Sequence, residues 1–218
     1  MKVLSVSDIE LSLIYSPQIV ERFSQVDMII SCGDLPYYYL EYMISMLNIP
    51  LYFVRGNHAP VVEYGSEWER HYPLGGCNIH RKTVRGVNGT LIAGIEGSLR
   101  YNKGPFQYTQ RQMWLNVFRL IPGMVVNRLR FGRYLDFLVT HAPPWKIHDA
   151  EDRPHQGIKA FRWLDQVFQP EYHLHGHVHL YRQDAMKLTF LGKTKILNTY
   201  GYQVTEIALP SSEKRSHR

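Results

Sequence analysis

Cysteine is scarce in this chain. Cys32 and Cys77 are the only two among 218 residues. Neither stands in the closely spaced pattern of a disulfide-stapled domain, so free thiols in a reducing cytoplasm are expected. Long apolar runs are missing as well, and nothing approaches the ~20 residues needed to span a bilayer. The amino terminus enters an apolar strand directly, without the charged start, apolar block and small-residue cleavage site of a signal peptide. Internal repeats, low-complexity tracts and an evident linker are also lacking, which argues against solenoid and disordered architectures.

One long stretch has no acidic residues. Between Glu96 and Asp136 there is none, whereas Arg100, Lys103, Arg111, Arg119, Arg128, Arg130 and Arg133 are basic. That segment supplies +7 where the whole chain carries +6, so the remainder sums to −1. The basic character is local and marks one region as a candidate contact for an anionic partner. The tail Lys214-Arg215-Ser216-His217-Arg218 is also basic, polar and expected to be disordered.

What is present reads as an ordinary globular protein, 44% apolar and 20% charged. The length suits a single domain over residues 1–209 with a substantial core, followed by the polar tail at 210–218. Apolar runs alternate with helical patterns, as in a layered α/β protein. Ser16-Pro17 opens one helix, with Ile19, Val20, Phe23 and Val26 on one face. Pro36 opens a second, carrying Tyr39, Leu40, Met43 and Leu47. Ile158, Phe161, Leu164 and Phe168 mark a third, stopped by Pro170. Further strands are expected at Thr90–Ile95, Leu188–Leu191, Lys195–Leu197 and Val204–Ala208. With about nine strands, two sheets packed face to face and flanked by helices fit better than one doubly wound sheet. Residues 109–132 read as a helical insertion, amphipathic through Met113, Trp114, Val117, Phe118 and Ile121 and interrupted at Pro122-Gly123.

Five apolar runs each end on a residue able to bind metal. Val3–Val6 leads to Asp8-Ile9-Glu10, and Met28–Ile30 leads to Gly33-Asp34. Leu51–Val54 leads to Gly56-Asn57-His58, Phe137–Val139 to His141, and Tyr172–His175 to Gly176-His177-Val178-His179. Ligands of open α/β sheets bind beyond the carboxyl ends of the strands, so these side chains should converge. Residues two apart on an extended chain share a face, which pairs Asp8 with Glu10 and His177 with His179. Gly33 permits close backbone approach beside Asp34. Taken singly, an Asp after a strand is usually a cap or turn former, and a His in a strand usually structural. Their occurrence together, in order and each after a strand, points instead to a metal centre. Carboxylate, amide and imidazole groups suit two divalent ions, which would lie roughly 3.5–4 Å apart and clamp a phosphate in in-line displacement.

With these motifs the chain resembles the calcineurin-like metallophosphoesterases, and is similar to their small bacterial members from Met1 to about Leu209. That pattern is Asp-x-His, Gly-Asp-x-x-Asp, Gly-Asn-His followed by an acid, a lone His, and Gly-His-x-His. The resemblance implies a two-sheet sandwich between helical layers. It implies that Asp8, Asp34 and His179 hold a first metal, with Glu10 in the place of the usual His. Asp34 would bridge to a second metal completed by Asn57, His141 and His177. His58, with Asn57, would contact the phosphate and assist the leaving group. The implied reaction is hydrolysis of a phosphodiester or phosphomonoester through attack by a metal-bridging hydroxide.

Three positions depart from the family pattern. Glu10 adds a carboxylate and favours harder ions, so Mn²⁺ is expected, with iron or zinc as alternatives. Tyr37 replaces the second acid of the Gly-Asp motif, and Ala59 the acid after Gly-Asn-His. Both acids usually support neighbouring ligands. Candidate substrate contacts are Arg100, His155 and Tyr37, with Tyr38 at the mouth. The expected partner is a phosphorylated small molecule or nucleotide. An anionic membrane surface is the second candidate, reached through the acid-free segment by a protein peripheral to the membrane and acting on a lipid phosphate. A scaffold role, built on a fold that has lost catalysis, is the third. Nucleic acid is a weaker fourth.

Overall fold

Alternate residues of the central strands face two different apolar layers, and this alternation organises the molecule. In the computed structural model, which describes residues 1–65, 68–180 and 186–208, fifteen strands and four α-helices are present. The strands of the first half are β1 (Lys2–Ser7), β2 (Met28–Ser31), β3 (Leu51–Phe53), β4 (Glu63–Tyr64), β5 (Glu69–Arg70), β6 (Gly76–Asn78) and β7 (Lys82–Arg85). The second half adds β8 (Leu91–Ile95), β9 (Ser98–Leu99), β10 (Gln107–Tyr108), β11 (Phe137–Thr140), β12 (Tyr172–His175), β13 (Leu188–Leu191), β14 (Thr194–Asn198) and β15 (Gly201–Glu206). The helices are α1 (Gln18–Phe23), α2 (Tyr37–Leu47), α3 (Gln110–Phe131) and α4 (Lys159–Phe168).

Two sheets carry the fold. One has the order β15-β1-β2-β3-β6, and the other β13-β14-β12-β11-β8-β7. In the first, β1, β2, β3 and β6 run parallel and β15 antiparallel. In the second, β8, β11, β12 and β14 run parallel, with β7 and β13 antiparallel at the edges. Val3, Met28 and Ile30 of one sheet meet Ile92, Phe137, Val139 and Leu174 of the other in a shared core. Leu4, Val6, Ile29 and Phe53 face outward onto α1 and α2. Ala93, Ile95 and Leu138 face outward onto α3 and α4. The result is four layers, helix–sheet–sheet–helix, as the strand pattern requires when both faces of a parallel sheet are buried.

The units β1-α1-β2-α2-β3 and β8-α3-β11-α4-β12 each place their parallel strands side by side. All the loops bearing Asp8, Asp34, Asn57, His141 and His177 therefore leave carboxyl ends of parallel strands. The strand count exceeds the sequence expectation by six: β4, β5, β9 and β10 are short pairing segments in the connections, and β6 and β7 are edge strands of the two large sheets. The final strand begins earlier than expected, at Gly201, since its pairing with β1 starts there. Val20, assigned to the buried face of the first helix, is exposed, while Ile19 and Phe23 are buried. Cys32 is buried and Cys77 exposed, each a free thiol. Among the described residues no helix is long and apolar enough to cross a membrane. The basic tail at 210–218 lies outside the described residues.

The largest departure from the sequence reading is α3. It runs unbroken through Pro122-Gly123, opened by a Thr109–Gln112 capping box and closed by Gly132 in the left-handed region. Its buried residues Met113, Val117, Leu120 and Met124 share the core of the second sheet, so it is a constituent layer of the fold. Proline removes one internal hydrogen bond, but Pro122 is exposed and water can replace it. Gly123 faces β7, where a Cβ would collide with the Thr83 hydroxyl and lie 3.0 Å from the Thr83 Cβ. Close approach, not a break, explains this glycine. Gly123→Ala should therefore lower stability by ~1–3 kcal/mol through overpacking, although alanine is the better helix former by about 1 kcal/mol. Thr83→Ala in the same chain should restore most of the loss in denaturant unfolding. A stabilised Gly123→Ala single variant would contradict this account.

Candidate metal centre

Asp34, His141 and His177 present one carboxylate oxygen and two ring nitrogens that lie within 4.8 Å of one another. They come from the carboxyl ends of β2, β11 and β12, so both sheets contribute. His141 Nδ1 donates to the Cys32 carbonyl at 2.8 Å. With that nitrogen committed, Nε2 points to Asp34 Oδ2 at 3.1 Å, Asn57 Oδ1 at 3.0 Å and His177 Nδ1 at 3.1 Å. His177 Nε2 in turn donates to the Pro154 carbonyl at 2.8 Å. Each imidazole thus has one nitrogen tied to a backbone carbonyl and the other aimed at a common point. This is the usual arrangement of metal-binding histidines.

The electrostatics follow from burial and mutual proximity. Burial opposes charging of the His141 ring, yet the Asp34 and Asp8 carboxylates outweigh it and raise the ring to about 9. Burial would likewise raise Asp34, but His141 and the His58 amide, which donates at 2.8 Å, bring it down to about 2. Burial and the neighbouring His141 lower His177 to about 3, leaving its inward nitrogen as a lone pair. Asp8 is raised by burial, with Asp34 as a further cause. Its two oxygens accept from the His177 amide at 3.0 and 3.1 Å, so it stands directly against the three-residue group.

Space at this point is reserved by glycines. A Cβ on Gly56 would collide with the Asp34 carboxylate and lie 2.6 Å from His141 Cε1. A Cβ on Gly176 would lie 2.5 Å from Asp8 Oδ2. The Asp34 carboxylate, the His177 lone pair, a His141 nitrogen that gives up its proton to a cation, and a cradle that a methyl group would fill all fit a divalent ion. The backbone is also forced: Asp8, Asp34 and His177 adopt φ values of 67°, 55° and 69°. Non-glycine residues rarely occupy that region, and clustering there is characteristic of functional sites.

Several other predicted residues sit around this group. Asn57 is buried, with its amide donating to the Tyr101 hydroxyl at 3.1 Å, which leaves Oδ1 facing His141. Its neighbour His58 is exposed on the wall of a cleft of about 700 Å³. Asp8, Glu10, Asp34 and Tyr38 line the same cleft. Glu10 accepts a short hydrogen bond from the Tyr38 hydroxyl. His179 is exposed, and its ring lies 4.9 Å from that of Tyr200 between centroids. Among the described residues the converging group includes neither Glu10 nor His179. The His155 ring is 5.2 Å from His177, and its Nδ1 lies 2.6 Å from Asp152 Oδ2.

Two expected substrate contacts fall elsewhere. Tyr37 is only 1% exposed, with its hydroxyl donating to the Pro60 carbonyl at 2.7 Å. It braces the loop just after His58, whereas the next residue, Tyr38, reaches the cleft. Arg100 donates to Gln107 and Gln112 and lines a separate depression with Tyr108 and Arg153. It follows β9, and the next residue, Tyr101, is the one whose hydroxyl meets Asn57. The sequence carried no signal for the supports in long-range contact. Glu63 accepts from the Tyr37 and Tyr38 amides at 2.6 and 3.0 Å, capping α2 from a distant loop. Glu96 is buried and binds Arg55 at 2.9 Å and the Tyr108 hydroxyl at 2.6 Å, steadying the residue before Gly56-Asn57.

Comparison with known proteins bears on the family and the fold. The model of the calcineurin-like phosphoesterase family matches residues 1–181. Among solved structures, TT1561 of Thermus thermophilus is similar at a TM-score of 0.58 and 15% identity, covering 92% of this chain and 89% of that one. GAP50, described as the anchor in the inner membrane complex of Plasmodium, gives 0.51 at 13% identity, covering 91% and 70%. At such identities the likeness concerns the fold alone. No curated protein sequence matches significantly. With the family model spanning most of the chain and the four-layer fold in place, the chain belongs to the calcineurin-like phosphoesterase family.

Proposed function

We propose that this protein is a binuclear metallophosphoesterase whose preferred substrate is a phosphodiester. The observation that carries the reading is the convergence of Asp34, His141 and His177, with Asp8 held against them, where Asp8 and Asp34 line an open cleft. Asp34, Asn57, His141 and His177 would hold one ion, and Asp8 with Asp34 would begin the site of the other. Glu10 and His179 would complete it by turning from their present partners. Divalent ions there would polarise a phosphate and ease deprotonation of water at neutral pH. Mn²⁺ fits a donor set rich in carboxylates.

The chain's own residues handle the rest. His58 stands on the cleft wall with its backbone tied to Asp34, which supports a role for its ring in protonating a departing oxygen. Tyr38 and Tyr64 supply aromatic surface beside it. The preference for a diester rests on charge. Among the described residues, Asp8, Glu10, Asp34 and Glu63 face the cleft with a single guanidinium, Arg70, which is itself paired with Glu41 and Glu63. Two divalent ions would leave about one net positive charge, matching a monoanionic diester better than a dianionic monoester.

The direct test is metal-depleted protein with added Mn²⁺, assayed on an aryl phosphodiester and on the corresponding monoester. The diester should be turned over faster, and Asp34→Ala should abolish both activities. Absence of Mn²⁺-dependent turnover on either substrate would refute the reading. His58→Ala should lower kcat ~10²–10⁴-fold for an alkyl leaving group, and much less for p-nitrophenolate, which departs without a proton. Equal losses on both leaving groups would remove His58 from that role. Gly56→Ala should weaken Mn²⁺ binding ~10–100-fold, read by calorimetry independently of activity.

A further inference from the structure

The 22-residue helix α3 is apolar on two opposite sides. One side is the core face already described. On the other, Leu115, Phe118, Pro122, Val125, Val126 and Leu129 are all exposed, Leu129 by 78% and Leu115 by 58%. At 3.6 residues per turn these six fall within an arc of roughly 100° and extend over about 20 Å of helix. An ordinary surface helix would place charged residues there. A contiguous apolar stripe of this kind marks an interaction surface.

The charges flanking the stripe select the partner. On the helix wheel Arg119 and Arg130 lie along one side of the stripe and Arg128 along the other, with Arg111 at its amino-terminal end. These four form no ion pair among the described residues, whereas Arg133 is neutralised by Asp136 at 2.6 Å. The adjoining edge strand β7 adds Lys82 and Arg85, and Arg85 joins Arg130 in a crevice beside the helix. Trp114, Phe118 and Trp163 cluster at the same surface, with ring centroids 5.4–6.1 Å apart. No acidic residue interrupts the sequence from Gly97 to Leu135.

We propose that this face of α3 docks the protein on an anionic lipid surface. An apolar stripe bordered by arginines and aromatic rings is the composition of a helix lying in the plane of a bilayer interface. Its side chains enter the acyl boundary while its cations meet the phosphates. A second copy of the chain is disfavoured, because a symmetric contact would bring the arginines of both copies together without a carboxylate to separate them. The amino-terminal turn of α3 is also tied to the segment that follows Pro154. Gln110 donates to the Gly157 carbonyl and accepts from the Lys159 amide, three to five residues beyond the Pro154 that anchors His177. The inference is independent of the catalytic reading and stands or falls by binding alone.

The full chain should co-sediment with vesicles of phosphatidylcholine and phosphatidylglycerol, and not with phosphatidylcholine alone. Binding should fall as salt is raised. A variant with Leu115→Ser and Leu129→Ser, at sites that contribute little to the core, should lose binding while retaining its melting temperature. A variant with Arg119→Glu and Arg130→Glu should reduce partitioning by more than ~10-fold. Three results would overturn the proposal. These are no binding to anionic vesicles, binding unchanged in both variants, or self-association in sedimentation velocity that the serine variant abolishes without any vesicle binding.

Discussion

A hydrogen bond between sheets sets the position of everything at the candidate metal centre. The His141 ring leaves the end of β11 in one sheet and donates to the carbonyl of Cys32, at the end of β2 in the other. Cys32 is followed at once by Gly33-Asp34, so the same contact that locks the ring also fixes the carboxylate it faces. A backbone carbonyl can only accept, which leaves the ring's Nε2 for the common point shared with Asp34, Asn57 and His177. The register of the two sheets across the sandwich is thereby converted into ligand geometry. Core packing of Met28 and Ile30 against Phe137, Val139 and Leu174 holds that register.

Holding three ligand-bearing residues in the left-handed region costs about 1–3 kcal/mol each. Local bonds offset part of this. The His177 amide donates to Asp8, and the His58 amide donates to Asp34. The strained turns thus orient the carboxylates they sit beside. The wider supports act at longer range: Glu63 caps α2 across the cleft, Glu96 tethers Arg55, and Tyr37 braces Pro60. Tyr37 contributes packing and a bond to a backbone carbonyl without any charge.

Much of this was legible in the order of residues. Apolar runs short enough for strands, each ending in an Asp, Asn or His, predict a parallel sheet with its chemistry at one edge. The helices at Tyr37–Leu47 and Lys159–Phe168 follow from apolar spacing and a bounding proline. Local rules failed at Pro122-Gly123, where both residues argue for a break. The helix persists because its proline faces solvent and its glycine meets Thr83, a contact 40 residues away in sequence. The roles of Tyr37 and Arg100 were not legible locally either: the Tyr37 hydroxyl is taken up by the Pro60 carbonyl, and Arg100 lines a separate depression.

The sequence by itself determined the alternation of buried strands and helices, the ligand types waiting at the strand ends, and the acid-free basic segment. All of these depend on neighbours within a few residues. Only the tertiary structure decided which ligand atoms converge, because that depends on how two sheets register across a shared core. It also decided that Gly56 and Gly176 leave room at the centre, that Glu63 and Glu96 serve as distant supports, and that α3 buries one apolar side while exposing another. A helix with apolar residues on two sides is ambiguous as a sequence. The sheet that covers Met113, Val117 and Leu120 leaves Leu115, Phe118 and Leu129 facing outward.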